Sequence, residues 1–177
     1  MFGALVVATA VAVITAGPAG AVDDTTTTTF VVSAGALAID APASPVALGS
    51  GSPGGTITAQ LGNVVVTDAR AQLAPTWAAT VASADFSTGG GTPQTIGKAL
   101  VDYWSGPAIS PTGSGTTFVP GQATADDKVT LAESRAAFAL TAGVGNNSVA
   151  WNPTLIVNVP AAAVAGTYSG VVTHSVL

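Results

Sequence analysis

The sequence predicts an all-β fold, an antiparallel β-sandwich of about eight strands, and three observations carry that expectation. From Phe30 onward, short runs of Val, Ile, Thr and aromatic residues recur, each bounded by clusters of Gly, Pro, Ser and Asn. The runs suit a pleated, half-buried ladder, and the clusters supply the turn conformations between ladders. No segment sustains the 3.6-residue apolar period of a helix, so nothing interleaves the strands with crossover helices.

In chain order, the opening MFGALVVATAVAVITAGPAGA is apolar from Phe2 to about Ala16 and ends on Gly17-Pro18 and the small triplet Ala19-Gly20-Ala21. This is the pattern of a secretory leader over residues 1–21, cleaved after Ala21. The run is shorter than the roughly 20 apolar residues that cross a bilayer, so no membrane span is expected once the leader is removed. Residues 22–29 hold Asp23-Asp24 and five threonines, Thr25 to Thr29, a low-complexity arm suited to a flexible or O-glycosylated segment. The remaining residues, 30–177, form the β domain.

Within that domain the runs place strands near Thr29 to Ile39, Thr56 to Asp68 with a break at Gly62-Asn63, Thr76 to Ala84, Lys98 to Trp104, Lys128 to Leu131, Arg135 to Thr141, Ser148 to Val159 and Thr167 to Val176. Between them SPVALGSGSPGG, STGGGTPQT, SGPAISPTGSG and GVGNN are dense in Gly, Pro and Asn and are expected to be turns or loops. The best helix candidate, Ala123 to Ala137, mixes charges with β-branched residues. In the last strand, alternation puts Tyr168, Gly170, Val172, His174 and Val176 on one face, so the single histidine shares the more apolar side.

Composition narrows the function. Charged residues are only 7% of the 177, against roughly a quarter in an ordinary soluble domain, and the net charge is −5. The four cations, Arg70, Lys98, Lys128 and Arg135, stand singly, which leaves no basic stripe for phosphates and excludes nucleic acid as a partner. With no cysteine there is neither a disulfide framework nor a thiolate site, and one His without Cys excludes an ordinary zinc centre. Asp126-Asp127 or Asn146-Asn147 could lend calcium two or three oxygens, but the twelve-residue EF-hand spacing is missing. No G-x-S-x-G elbow occurs, and Glu133 has no paired carboxylate of recognisable spacing. The expectation is a protein that is not an enzyme and has no catalytic residue, resident metal or cofactor.

Carbohydrate binding is the chemistry the residues favour most, because sugar rings stack on aromatic faces and take hydrogen bonds from amides. Tyr103-Trp104 ends a strand at a loop, and Trp151-Asn152-Pro153 pairs an aromatic with an amide. The binding set expected is Trp77, Trp104, Trp151, Asn152, Tyr168 and His174, with Trp77 the tryptophan expected first to be buried and Trp104 the one expected first to be exposed.

Four segments also resemble a known family. SAGALAIDAP at Ser33 to Pro42, QLGNVVVTDAR at Gln60 to Arg70, TWAATVASADF at Thr76 to Phe86, and AGTYSGVVTHSVL from Ala165 keep the order of the motifs of the WxL domain of Gram-positive cell-surface proteins. Ala79 stands where the first Trp-x-Leu motif has Leu, and His174 and Val176 stand where the second has Trp and Leu. The resemblance implies a secreted β-rich domain held non-covalently at the cell wall, with peptidoglycan or another wall glycan as partner. The function expected is thus a secreted, non-catalytic cell-surface domain of adhesion. The alternative is a structural or assembly subunit that binds partner surface proteins or copies of itself.

Overall fold

The computed structural model describes residues 20, 22–44 and 46–177, so the leader expected over residues 1–21 lies outside the described residues except for Gly20. Two compact units are present, the second being Ser33–Leu177. In the first, the described residues from Val22 to Val32 are exposed and carry no strand, the threonine run included. The second unit is all-β and built from antiparallel sheets, as the strand spacing predicts.

Its strands are β1 (Leu37–Asp40), β2 (Thr56–Gln60), β3 (Val64–Asp68), β4 (Trp77–Ser83), β5 (Phe86–Ser87), β6 (Thr95–Ile96), β7 (Val101–Trp104), β8 (Ile109–Pro120), β9 (Val129–Thr130), β10 (Arg135–Trp151), β11 (Thr154–Asn158) and β12 (Val172–Val176). The larger sheet runs β1-β3-β10-β4-β12 with β8 added alongside β10. The smaller runs β2-β11-β7-β9, and β5 with β6 forms a short hairpin. Val66, Val81, Phe138 and Trp151 from the larger sheet meet Val101, Tyr103, Leu155 and Val157 from the smaller in one core.

The geometry of β10 shapes the larger sheet. Phe138 and Trp151 lie in the same strand, thirteen residues apart, yet their rings stack with centroids 4.9 Å from each other. Straight strand of that length would hold them about 43 Å apart. The strand therefore doubles back, and its two limbs take different neighbours, Arg135 to Leu140 pairing with β4 and Asn147 to Trp151 with β3. β8 follows β10 round the bend, its register shifting between Leu140 and Ala150. Gly113, Gly115 and Gly145 there have positive φ, a conformation that costs a residue with a Cβ about 1 kcal/mol or more.

Several expectations are corrected by this arrangement. GVGNN is not a loop but the bend of β10, and ISPTGSG belongs to β8. The stretch expected as one strand from Ser148 to Val159 breaks at Asn152-Pro153, where proline has no N–H for a ladder and the chain passes from the larger sheet to the smaller. The expected break at Gly62-Asn63 is present, separating β2 from β3. Ala123 to Ala137 holds a single 3-10 turn, Ala125–Asp127, where Thr124 and Asp127 form a capping box, followed by β9 and the start of β10. Strand pairing begins at Gly35, whose N–H donates to the Ala69 carbonyl at 2.7 Å, and not at Thr29. No helix among the described residues is long and apolar enough to cross a membrane.

Candidate functional site

β12 lies antiparallel to β4, with His174 opposite Val81 and Val176 opposite Ala79. Because Val81 faces the core, so does His174, as the alternation in the sequence requires. Its Nε2 is 3.2 Å from the hydroxyl of Tyr103 on β7, and the indole N–H of Trp151 donates to that same hydroxyl at 3.3 Å. Tyr103 and Trp151 are fully buried.

The proton positions follow from counting donors. The Tyr103 oxygen accepts from Trp151, and its own proton has Nε2 of His174 as its partner among the described residues. If Nε2 carried a proton instead, a buried hydroxyl proton would be stranded, which is costly. The chain Trp151 N–H to Tyr103 O–H to His174 Nε2 thus fixes the proton of the neutral imidazole on Nδ1, which makes no hydrogen bond to a described residue. Burial pushes the His174 imidazole down to about 4, so the ring is neutral at pH 7. Burial also raises the Tyr103 phenol, keeping it protonated.

His174 opens onto a cleft of about 930 Å³. One wall is formed by residues 41–44 and 46–53, the other by the segment from Ala163 to Val172. Its apolar base has Ile57 from the smaller sheet and Val159 just past its end partly exposed, above the buried Leu155 and Val157 of that sheet and the buried Phe86 and Ile96 of the short hairpin. The polar lining residues are Ser44, Ser50, Thr167, Tyr168, Ser169 and His174, and among the described residues no Asp, Glu, Lys or Arg lines the cleft. Tyr168 is half-buried and donates its hydroxyl proton to the Val164 carbonyl at 2.9 Å, which pins the second wall.

The six residues expected to bind do not form one surface. Tyr168 and His174 share the cleft, and Trp151 lies beneath His174 with no face open to a ligand. Trp77 is buried, as expected, and its indole N–H donates to Oδ1 of Asn147 at 3.0 Å. Asn147 in turn donates to Asp68, which Arg70 grips through Nε and Nη2, each at 2.9 Å. Trp104, expected to be the open one, is half-buried. Asn152 is spent on structure, accepting from the Gly62 N–H and donating to Gln60. The aromatic sugar platform is therefore corrected for Trp77 and Trp151, because so few large side chains fill this core that both are drawn into it.

Two features escape the sequence reading. Tyr103 is the hinge of the proton chain, and its burial is what gives β7 a polar purpose. The cleft wall of residues 41–44 and 46–53 has the composition of a plain turn, and Val46 and Leu48, apolar residues set among Gly, Ser and Pro, are the signal that was there to find. Among the described residues no group of three or more acidic or histidine side chains is placed to hold a metal ion. Asp127 caps the turn at Thr124, and Asn146 accepts from the Ala71 N–H. No family model, curated protein or solved structure matches this chain.

Proposed function

We propose that the chain is an exported, non-catalytic cell-surface domain that associates non-covalently with the bacterial cell wall, as the resemblance to WxL domains implies. One observation carries this reading. The four segments that bear the resemblance, far apart in sequence, all reach the cleft: Ala41 and Pro42 from the first, Leu61 from the second, Phe86 from the third, and Ala165 to Val172 with His174 from the fourth. The test is sedimentation with purified Gram-positive cell walls. Retention in the wall pellet, released by soluble wall fragments, is the expected result; a chain that stays in the supernatant overturns the reading.

The alternative, an assembly subunit, is favoured by β8. Residues Ile109 to Pro120 carry no charge, most are exposed, and among the described residues β8 pairs only with β10. Natural sheet edges are usually blunted by charge, and an uncharged one suits pairing with another chain. Light scattering that shows concentration-dependent oligomers without wall retention would favour it.

A further inference from the structure

We infer that copies of this chain associate head to tail, the segment Thr27 to Val32 of one copy adding as a strand to the free edge of β8 in the next. The inference rests on the assembly reading of β8 and names what pairs with it. No residue of β8 lines the cleft, so wall association through the cleft is neither needed nor opposed. The acceptor is the last part of β8. Leu140 of β10 is opposite Trp77 on one side and Phe118 on the other, which puts the three side chains in one row on the core face. Trp77 and Leu140 are buried, yet Phe118, its ring 6.0 Å from that of Trp77, is only half-buried, because among the described residues no strand flanks it. Val119, opposite Ala139 on the outer face, is 43% exposed. Gly121 donates its N–H to the Ala137 carbonyl and Val119 pairs with Ala139, so by alternation the N–H and C=O of Phe118 point away from β10. Thr116 to Val119 have none of the charges or prolines that blunt natural edges.

The donor is built to match. Thr27 to Val32 consists of residue types that favour strands and has neither a charge nor a proline, yet none of it lies in a strand. Phe30, Val31 and Val32 are 89%, 89% and 75% exposed, a run of three large apolar side chains that their own chain leaves in water. Among the described residues, the backbone of residues 22–34 makes no hydrogen bond, the first being that of Gly35. Side chains alternate along an added strand. Phe30 beside Phe118 would extend the row of Trp77, Leu140 and Phe118, bring Val32 to the same face, and leave Val31 on the outer face that Val119 shares. A donor and an acceptor at different places on one chain form a heterologous pair, which links copies in sequence and not as a closed two-fold dimer. The segment acts between copies, so it adds nothing to the stability of a single dilute chain.

The test is sedimentation velocity of the full chain and of two variants over a wide range of concentration. Phe30→Asp spoils the donor and Val119→Lys charges the acceptor edge. Both positions are exposed, so the fold should persist, as unchanged circular dichroism would verify. The parent chain is expected to form concentration-dependent oligomers, and each variant alone should associate at least about tenfold more weakly, because a charge enclosed at the new pairing has no partner. Mixed together, the two variants should form a dimer with one chain of each and grow no further, since the Phe30→Asp chain keeps its edge and the Val119→Lys chain keeps its donor. Oligomers weakened by Val119→Lys but not by Phe30→Asp would overturn the inference and leave β8 pairing with β8. Oligomers weakened by Phe30→Asp alone, oligomers insensitive to both changes, or mixed variants that fail to dimerise would each overturn it. A parent chain that stays monomeric would overturn it too, and would confine the assembly reading to a different protein as partner.

Discussion

Asp68 is the residue on which the larger sheet's polar contacts converge. It is almost fully buried, holds Arg70 with both oxygens, and through Asn147 reaches Trp77 on the other limb of the curled sheet. The hydrogen bond from Arg70 keeps its carboxyl below the usual range. Asp68→Ala would remove the carboxylate acceptor of Arg70 and Asn147, leaving them only the Thr76 and Gly145 carbonyls, at a cost of about 2 kcal/mol in urea unfolding. His174 gives a second prediction, in pH. Its imidazole is pushed from an ordinary 6.5 to about 4, so below pH 6.5 the unfolded chain binds a proton that the folded chain refuses. Stability is full above pH 6.5 and falls by up to about 3 kcal/mol as pH drops to about 4. Asp68 adds a loss only below its own ordinary value of 3.8, so the two windows separate. In a pH series of thermal midpoints, His174→Phe should flatten the slope between pH 6.5 and 4 and leave the acid limb. The face of His174 was legible in the sequence from alternation alone. Its proton chain was not, because Tyr103 and Trp151 come from strands whose adjacency no local pattern encodes.

At the scale of the element, β10 and β8 separate what sequence can and cannot reveal. β4 and β7 alternate buried with more exposed residues, and the sequence locates them to within three positions, whereas β12 begins only at Val172, five residues after the expected start at Thr167. In β8 most side chains face solvent, and Pro111, Gly113 and Gly115 mimic a loop, so no apolar period exists to be seen. The bend of β10 hides for the related reason that Gly143 and Gly145 are strong turn signals whether the chain leaves the sheet or bends within it. Two substitutions probe the bend. At Gly145, φ is +70° and open space surrounds the added Cβ, so Gly145→Ala should cost only about 1 kcal/mol of backbone strain. Gly113, with φ +120°, would bring a Cβ within 2.9 Å of Asn147 and closer still to Thr116, so Gly113→Ala should cost about 2 kcal/mol or more, as measured by urea unfolding. Equal losses at the two sites would contradict the bend described.

For the whole molecule, the 33–177 unit holds both sheets and all of the buried core. A chain beginning at Ser33 is expected to unfold with a thermal midpoint within about 3 °C of the full chain, and a loss of cooperativity on that truncation would contradict the division. Most pairings are between strands distant in sequence, such as β3 with β10 and β4 with β12, so loop closure precedes most of the stabilising contacts. Folding should accordingly be slow, in milliseconds to seconds. The doubled-back β10 adds one consequence for how the protein comes apart. A sheet whose two limbs were separate strands could shed one and keep the other, but here a single covalent strand runs through both, tied across by Trp77 and Asn147. Amide protons in β3 and in β4 should therefore exchange with solvent at one common free energy, that of opening the 33–177 unit as a whole, so that this unit behaves as one foldon.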